Sequence, residues 1–169
     1  NKGPQAPDIV DVGYAYGKTG KDAGQYQPYK VSNWDKIPDT LLGLSAKDPE
    51  GYWTGGYYGV MAILSNDAVV KTPPANWADM LNPEYKGQVA LSGDPRTSNQ
   101  AIQSVFAATL ANGGSLDNAQ PGLDYFKQLN DAGNFVPVVA KPGTIVQGAT
   151  PIVLTWDYLA FGYKDSWKG

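Results

Sequence analysis

The 169-residue sequence contains no cysteine and no histidine, and its apolar runs are short. Without cysteine there is no thiol nucleophile, disulfide, zinc ribbon or iron–sulfur cluster. Without histidine the usual general base near neutral pH and the commonest transition-metal ligand are missing. Ser-His-Asp chemistry is therefore excluded, while carboxylate or lysine chemistry is not. The longest apolar run, Val60 to Leu64, is five residues, far below the length of a membrane span. Positive charge is also scarce. Thirteen Lys and Arg face sixteen Asp and Glu, a net charge of −3, so there is no basic footprint for nucleic acid or an anionic membrane. A cysteine-free chain is compatible with an oxidising compartment without requiring one.

What is present suits a folded chain. Hydrophobic residues make up 42% and charged residues 17%, enough to bury a core in one domain, or one and a part. Five Trp, eleven Tyr and four Phe accompany 20 Gly and 13 Pro. Tyr and Trp join a large apolar face to one polar handle, which fits a water-lined binding cleft or an interface, and also fits a core. The chain opens in a turn-rich stretch with neither an initiator Met nor a signal peptide, and reads as part of something longer.

Along the chain, strand and helix signals alternate, which predicts an α/β fold. Asp8 to Val12 reads as a short strand that delivers Gly13-Tyr14-Ala15-Tyr16-Gly17 to its end, where α/β sheets place ligands. Lys18 to Trp53 reads mostly as loop. Gly55 to Leu64 reads as a buried strand, and Asn76 as the cap of a short helix through Leu81. Val89 to Leu91 predicts a strand. A helix capped by Thr97 or Ser98 follows, with Ile102, Val105, Phe106, Thr109 and Leu110 on one face and Gly113-Gly114 at its end. Pro121 opens another helix, with Leu123, Phe126 and Leu129 as its stripe. Phe135 to Val139 reads as a strand, Thr144 to Gln147 as one helical turn closed by Gly148, and Pro151 to Thr155 as a strand.

Three constellations carry candidate chemistry. In Asp94-Pro95-Arg96-Thr97-Ser98-Asn99 a strand gives way to a helix start. There, unpaired N–H groups, the Thr97 and Ser98 hydroxyls and the Arg96 guanidinium would suit a phosphate, phosphonate, sulfate or carboxylate; a plain capped helix with an exposed Arg fits equally. In Trp156-Asp157-Tyr158, a carboxylate between two rings would grip an ammonium, or the Asp caps the next turn over packed aromatics. In Trp53-Thr54-Gly55-Gly56-Tyr57-Tyr58-Gly59, glycines beside aromatics permit close approach of a ligand or relieve crowding under the rings. No Gly-Lys-Ser/Thr follows, so this is not a phosphate loop. Strand alternation would point Tyr57 and Tyr58 to opposite faces, against both holding one ferric ion.

The order of these segments resembles the bacterial extracellular solute-binding proteins of ABC importers. The resemblance rests on Pro7-Asp8-Ile9-Val10-Asp11-Val12, on Gly51-Tyr52-Trp53 leading to Tyr57-Tyr58-Gly59-Val60-Met61-Ala62, and on Gly148-Ala149-Thr150-Pro151-Ile152-Val153 before Trp156-Asp157-Tyr158. Its most specific stretch is Trp77-Ala78-Asp79-Met80-Leu81-Asn82-Pro83-Glu84-Tyr85-Lys86-Gly87-Gln88-Val89-Ala90. The subgroup is the one with ferric-iron, phosphonate and polyamine binders, and the implied fold is the two-lobed periplasmic-binding type II architecture. Here it would comprise one lobe nearly complete and part of the other. Residues 1–55 would belong to lobe one, 56–158 to the crossover strands and lobe two, and 159–169 would return into lobe one. Complete members are much longer, so the opening strands of lobe one and the closing helices would be missing and the cleft incomplete.

The resemblance also implies a role and a ligand set. The protein would capture a small polar or charged solute between its lobes and hand it to an ABC permease at the membrane, from a periplasmic or extracellular location compatible with a lipid anchor in the full-length form. It would be no enzyme, with no cofactor, no metal and no nucleic-acid partner. Iron binders of the family place two adjacent tyrosines at the end of the last crossover strand. Here Asp157-Tyr158-Leu159 breaks that pair, which speaks against iron. The expected ligand is an amine, a phosphonate or a zwitterion carrying both groups, and the expected ligand-binding residues are Tyr14, Tyr57, Tyr58, Arg96, Thr97, Ser98, Trp156, Asp157 and Tyr158. Two other readings stand beside it. One is a protein-interaction module whose aromatics form an interface. The other is a carboxylate-dependent hydrolase, which would need two acids such as Asp94 and Asp157 roughly 5–10 Å apart.

Overall fold

A computed structural model describes residues 3–167. The chain divides into two compact units at the Tyr58–Gly59 bond.

The first unit is built around helix α1 (Tyr14–Asp22) and a two-residue-strand hairpin, β1 (Thr40–Leu41) and β2 (Leu44–Ser45), paired antiparallel. Leu42 and Gly43 form the hairpin turn with φ of 52° and 81°, the left-handed pair a two-residue turn requires. Polar contacts tie this unit together. The buried Asp48 accepts Lys21 Nζ at 2.8 Å and the N–H groups of Glu50 and Tyr52, while Lys21 also pairs with Glu50 and lies over the Tyr52 ring. Burial pushes the Asp48 carboxyl up, but these donors outweigh it and hold it below its ordinary value.

Two expectations change here. Asp8 to Val12 forms no strand, and Ile9, Val10 and Val12 are exposed; no described segment pairs with it, and a strand without a ladder has no backbone partners to hold it. The stretch read as loop from Lys18 onward instead holds most of α1, whose Gly20 admits the Tyr26 ring where a Cβ would lie 2.2 Å away.

The second unit holds the apolar core of the described residues. Its sheet has strand order β3-β5-β4, with β3 (Met61–Ser65), β4 (Val89–Leu91) and β5 (Ile152–Trp156). β5 runs parallel to β4 in the register Val89↔Ile152 and antiparallel to β3 in the register Met61↔Trp156. A central strand covered on both faces must be apolar throughout, and Ile152, Val153 and Leu154 are all buried. Alternation divides them: Val89, Leu91, Ile152 and Leu154 pack with Met80, Tyr125 and Leu129, while Ala90 and Val153 pack with Ala140 and Ile145. Burying each of these larger side chains stabilises by about 1.5–3 kcal/mol.

Helix α2 (Asn99–Ala111) and helix α3 (Gln120–Asp131) cover the first face. Gly122 lets them touch, since a Cβ there would sit 2.3 Å from the Val105 carbonyl oxygen. Tyr125 donates to the Trp77 carbonyl at 2.6 Å, giving its buried hydroxyl the partner it needs. Helix α4 (Pro142–Val146) and helix α5 (Asp157–Ser166) contribute Ile145 and Tyr163 to the other face.

Several expected elements shift. The strand read from Gly55 begins only at Met61, with half-buried residues. The helix capped by Asn76 is one 3-10 turn, Asp79–Leu81, although Asn76 Oδ1 does accept the Asp79 N–H at 3.1 Å. Phe135 to Val139 makes a single bridge to Val89. Leu110 and Leu123 are exposed, because Ala101, Ala108 and Gly122 let the helices approach on a neighbouring face.

Candidate functional site

β4 and β5 are parallel, so their C-terminal ends share one edge of the sheet, the place where open α/β sheets bind ligands. Both strands stop being apolar there. Ser92 Oγ donates to the Leu154 carbonyl at 3.0 Å, and the fully buried Thr155 hydroxyl accepts Gln100 Nε2. These contacts join both strand ends to the first turn of α2.

The loop from Gly93 to Ser98 is closed on itself. Gly93 abuts Ser98, whose Oγ would lie 2.5 Å from a Cβ at that position. The Asp94 carbonyl accepts the N–H groups of Thr97 at 3.0 Å and Ser98 at 2.8 Å. Ser98 is the N-cap, its Oγ accepting the Ala101 N–H, while Thr97 is exposed. The Arg96 guanidinium is 86% exposed, yet its Nε contacts Asp94 Oδ1 at 3.0 Å and Oδ2 at 3.1 Å. Its side-chain hydrogen bonds hold the Asp94 carboxyl at about 2, the reverse of what a general acid requires. Arg96, Thr97 and Ser98 are thus brought together, with Asp94 already engaging their donors.

β5 ends directly in α5. Trp156 and Tyr158 flank Asp157 with their rings stacked, 6.4 Å between centroids and 10° between planes. Asp157 Oδ1 accepts the N–H of Val60 at 3.0 Å and that of Tyr158 at 2.8 Å, and the Asp157 N–H donates to the Val60 carbonyl at 2.9 Å. The Tyr158 ring lies against Gly59, where a Cβ would come within 2.6 Å.

The remaining candidates lie in the first unit. Tyr14 opens α1 and meets Trp53 edge-to-face at 5.7 Å. Tyr57 donates its hydroxyl to Asp11 Oδ2 at 2.7 Å, and Tyr58 is exposed. Ser92, Gln100 and Thr155 were not singled out in the sequence. The available signal was a hydroxyl residue at the end of each apolar strand and a polar residue in the first turn of the intervening helix.

A family model described as bacterial extracellular solute-binding protein matches residues 5–168. The chain belongs to that family. Among solved structures, the spermidine/putrescine ABC transporter substrate-binding protein PotD from Streptococcus pneumoniae, in complex with calcium and HEPES, superposes with a TM-score of 0.62 at 19% identity, over 88% of this chain and 47% of its own. The periplasmic binding protein AfuA from Actinobacillus pleuropneumoniae, with exogenous fructose-6-phosphate bound, gives 0.62 at 20% identity, over 88% and 46%. Iron-bound HitA from Pseudomonas aeruginosa gives 0.58 at 15%, over 89% and 46%. The chain spans just under half the length of these proteins. At such identities the likeness shows the fold, a mixed α/β arrangement of the periplasmic-binding type II class, present in part. Comparison with curated protein sequences gave no match.

Proposed function

We propose that this chain is part of the solute-binding component of an ABC importer. In the full-length protein it captures a small polar or charged solute between two lobes, outside the cytoplasm, and delivers it to the membrane permease. The observation that carries this reading is the shared C-terminal edge of β4 and β5, which gathers the Arg96-Thr97-Ser98 turn and the Trp156-Asp157-Tyr158 segment around Ser92, Gln100 and Thr155. Membership of a solute-binding family supports it. In this reading residues 1–55 belong to lobe one and 56–158 to the crossover strands and lobe two.

The ligand class follows from the donors and acceptors of that edge. The Asp157 carboxylate stands between two stacked ring faces, an arrangement that suits an amine. Arg96, Thr97 and Ser98 offer donors to an acidic group once Asp94 yields. A zwitterion such as an aminophosphonate engages both ends. The test is a thermal-shift screen of the full-length protein against putrescine, 2-aminoethylphosphonate, inorganic phosphate, sugars, amino acids and ferric iron. A solute at a hundred times its Kd stabilises by about 2.7 kcal/mol. A hit among amines or aminophosphonates supports the reading. Silence across the panel, with folded and ligand-free protein, contradicts it.

A further inference from the structure

Asp157 stands where the β3–β5 ladder ends and α5 begins. One step beyond the last pair, Met61↔Trp156, the next opposed residues are Val60 and Asp157. In an antiparallel ladder such a pair exchanges two backbone hydrogen bonds. Half of that exchange is present, since the Asp157 N–H donates to the Val60 carbonyl at 2.9 Å. The other half is not available from the backbone, because a residue that opens a helix turns its carbonyl along the helix axis. The Val60 N–H is satisfied instead by Asp157 Oδ1 at 3.0 Å, and the same oxygen accepts the Tyr158 N–H at 2.8 Å.

We infer that Asp157 is a positioning residue: Oδ1 replaces its own backbone carbonyl, so the strand passes into the helix with the ladder complete and with Trp156 and Tyr158 held in their stacked arrangement. Gly59 is the second part of the device, because only a residue without Cβ leaves room for the Tyr158 ring. The role of the ring pair in ligand recognition rests on the function proposed above; the clasp itself does not. It also separates the two oxygens of one carboxylate, with geometry assigned to Oδ1 and charge to the group as a whole. An amide keeps the acceptor and loses the charge, whereas alanine loses both.

The experiment is ligand-free NMR of the full-length protein and of Asp157→Asn, Asp157→Ala and Gly59→Ala. In the wild type, the Val60 and Tyr158 amides should both exchange slowly. Asp157→Asn should keep their protection within about threefold, along with the ring-current shift of the Trp156 indole. Asp157→Ala should lose about tenfold or more at Val60 and Tyr158 while Ile63 and Leu154 stay protected. Gly59→Ala should displace Tyr158 and remove the ring-current shift. Equal loss in the Asn and Ala variants, or full protection in the Ala variant, would overturn the clasp. Should the Ala variant not fold, the Asn and Gly59→Ala variants decide: lost Val60 and Tyr158 protection in the Asn variant, or an unmoved Tyr158 ring in Gly59→Ala, overturns the clasp. Failure here leaves the thermal-shift result untouched, so the two conclusions are tested separately.

Discussion

Asp94 holds Arg96, two residues along the chain, with both carboxylate oxygens, while its backbone carbonyl holds the N–H groups of Thr97 and Ser98. A turn that resembles an anion site therefore carries its own carboxylate in the position an incoming acid group would take. That arrangement sets the first two predictions.

The Asp94 carboxyl should titrate at about 2, below its ordinary value of 3.8, because Arg96 stabilises the charged form. A depressed carboxyl adds stability above its unfolded pKa, and that contribution is lost as pH falls through about 2. The pair is exposed, so salt should weaken it. Carbon-detected NMR of the side chain checks the value, and Arg96→Ala should return it towards the ordinary one. A carboxyl that titrates normally in the wild type would show that the pair does not persist in solution.

Asp94→Asn should free Arg96 for an external anion while keeping an oxygen for the Arg96 N–H. Affinity for inorganic phosphate or 2-aminoethylphosphonate should rise about tenfold, or ~1.4 kcal/mol, by calorimetric titration. Weaker binding would mean that Asp94 shapes the site for its ligand.

Asp157→Asn should weaken binding of an amine such as putrescine by more than about tenfold, since the variant loses the charge while keeping the acceptor. Unchanged affinity in the same titration would remove the Asp157 charge from the site.

Gly122→Ala should destabilise the second unit by about 1–3 kcal/mol, because the added methyl meets the Val105 carbonyl and the Thr109 hydroxyl at 2.3 Å. Urea denaturation gives the number. A neutral effect would show that α2 and α3 separate readily.

Asn134 is fully buried and donates from Nδ2 to the Met80 and Asn82 carbonyls, each at 2.8 Å. Asn134→Ala should cost about 1–3 kcal/mol, the penalty of leaving buried carbonyls unpaired. Asn134→Asp should cost more at neutral pH and recover in acid, because a buried carboxyl facing two carbonyls has a raised pKa and is favoured when protonated. Denaturation curves at two pH values distinguish these outcomes.

The second unit was the legible one. Val89 to Leu91 and Ile152 to Thr155 are apolar runs that form strands where the sequence predicts them, and Ser98, Pro121 and Gly148 mark helix boundaries through local chemistry that needs no tertiary context. Gly122 and Ala108 carry little hydrophobic signal yet stand where the helices meet, so periodicity alone points Leu110 and Leu123 inward although both lie outward. The first unit was harder. Ile9, Val10 and Val12 have strand composition, but strand formation depends on a partner that local sequence does not specify. At the candidate site, residue types near Arg96 and Asp157 were readable. Their engagement with Asp94 and with the Val60 N–H was not, because the latter joins positions 97 residues apart.

The central claim is that solute binds at the C-terminal edge of β4 and β5. The most direct measurement is amide chemical-shift mapping of the full-length protein titrated with 2-aminoethylphosphonate and, separately, putrescine. The account predicts saturable shifts at Ser92 to Gln100 and at Trp156 to Leu159. Shifts confined to the apolar groove of about 470 Å³ lined by Ile102, Leu123 and Phe126, with that edge unmoved, would contradict it.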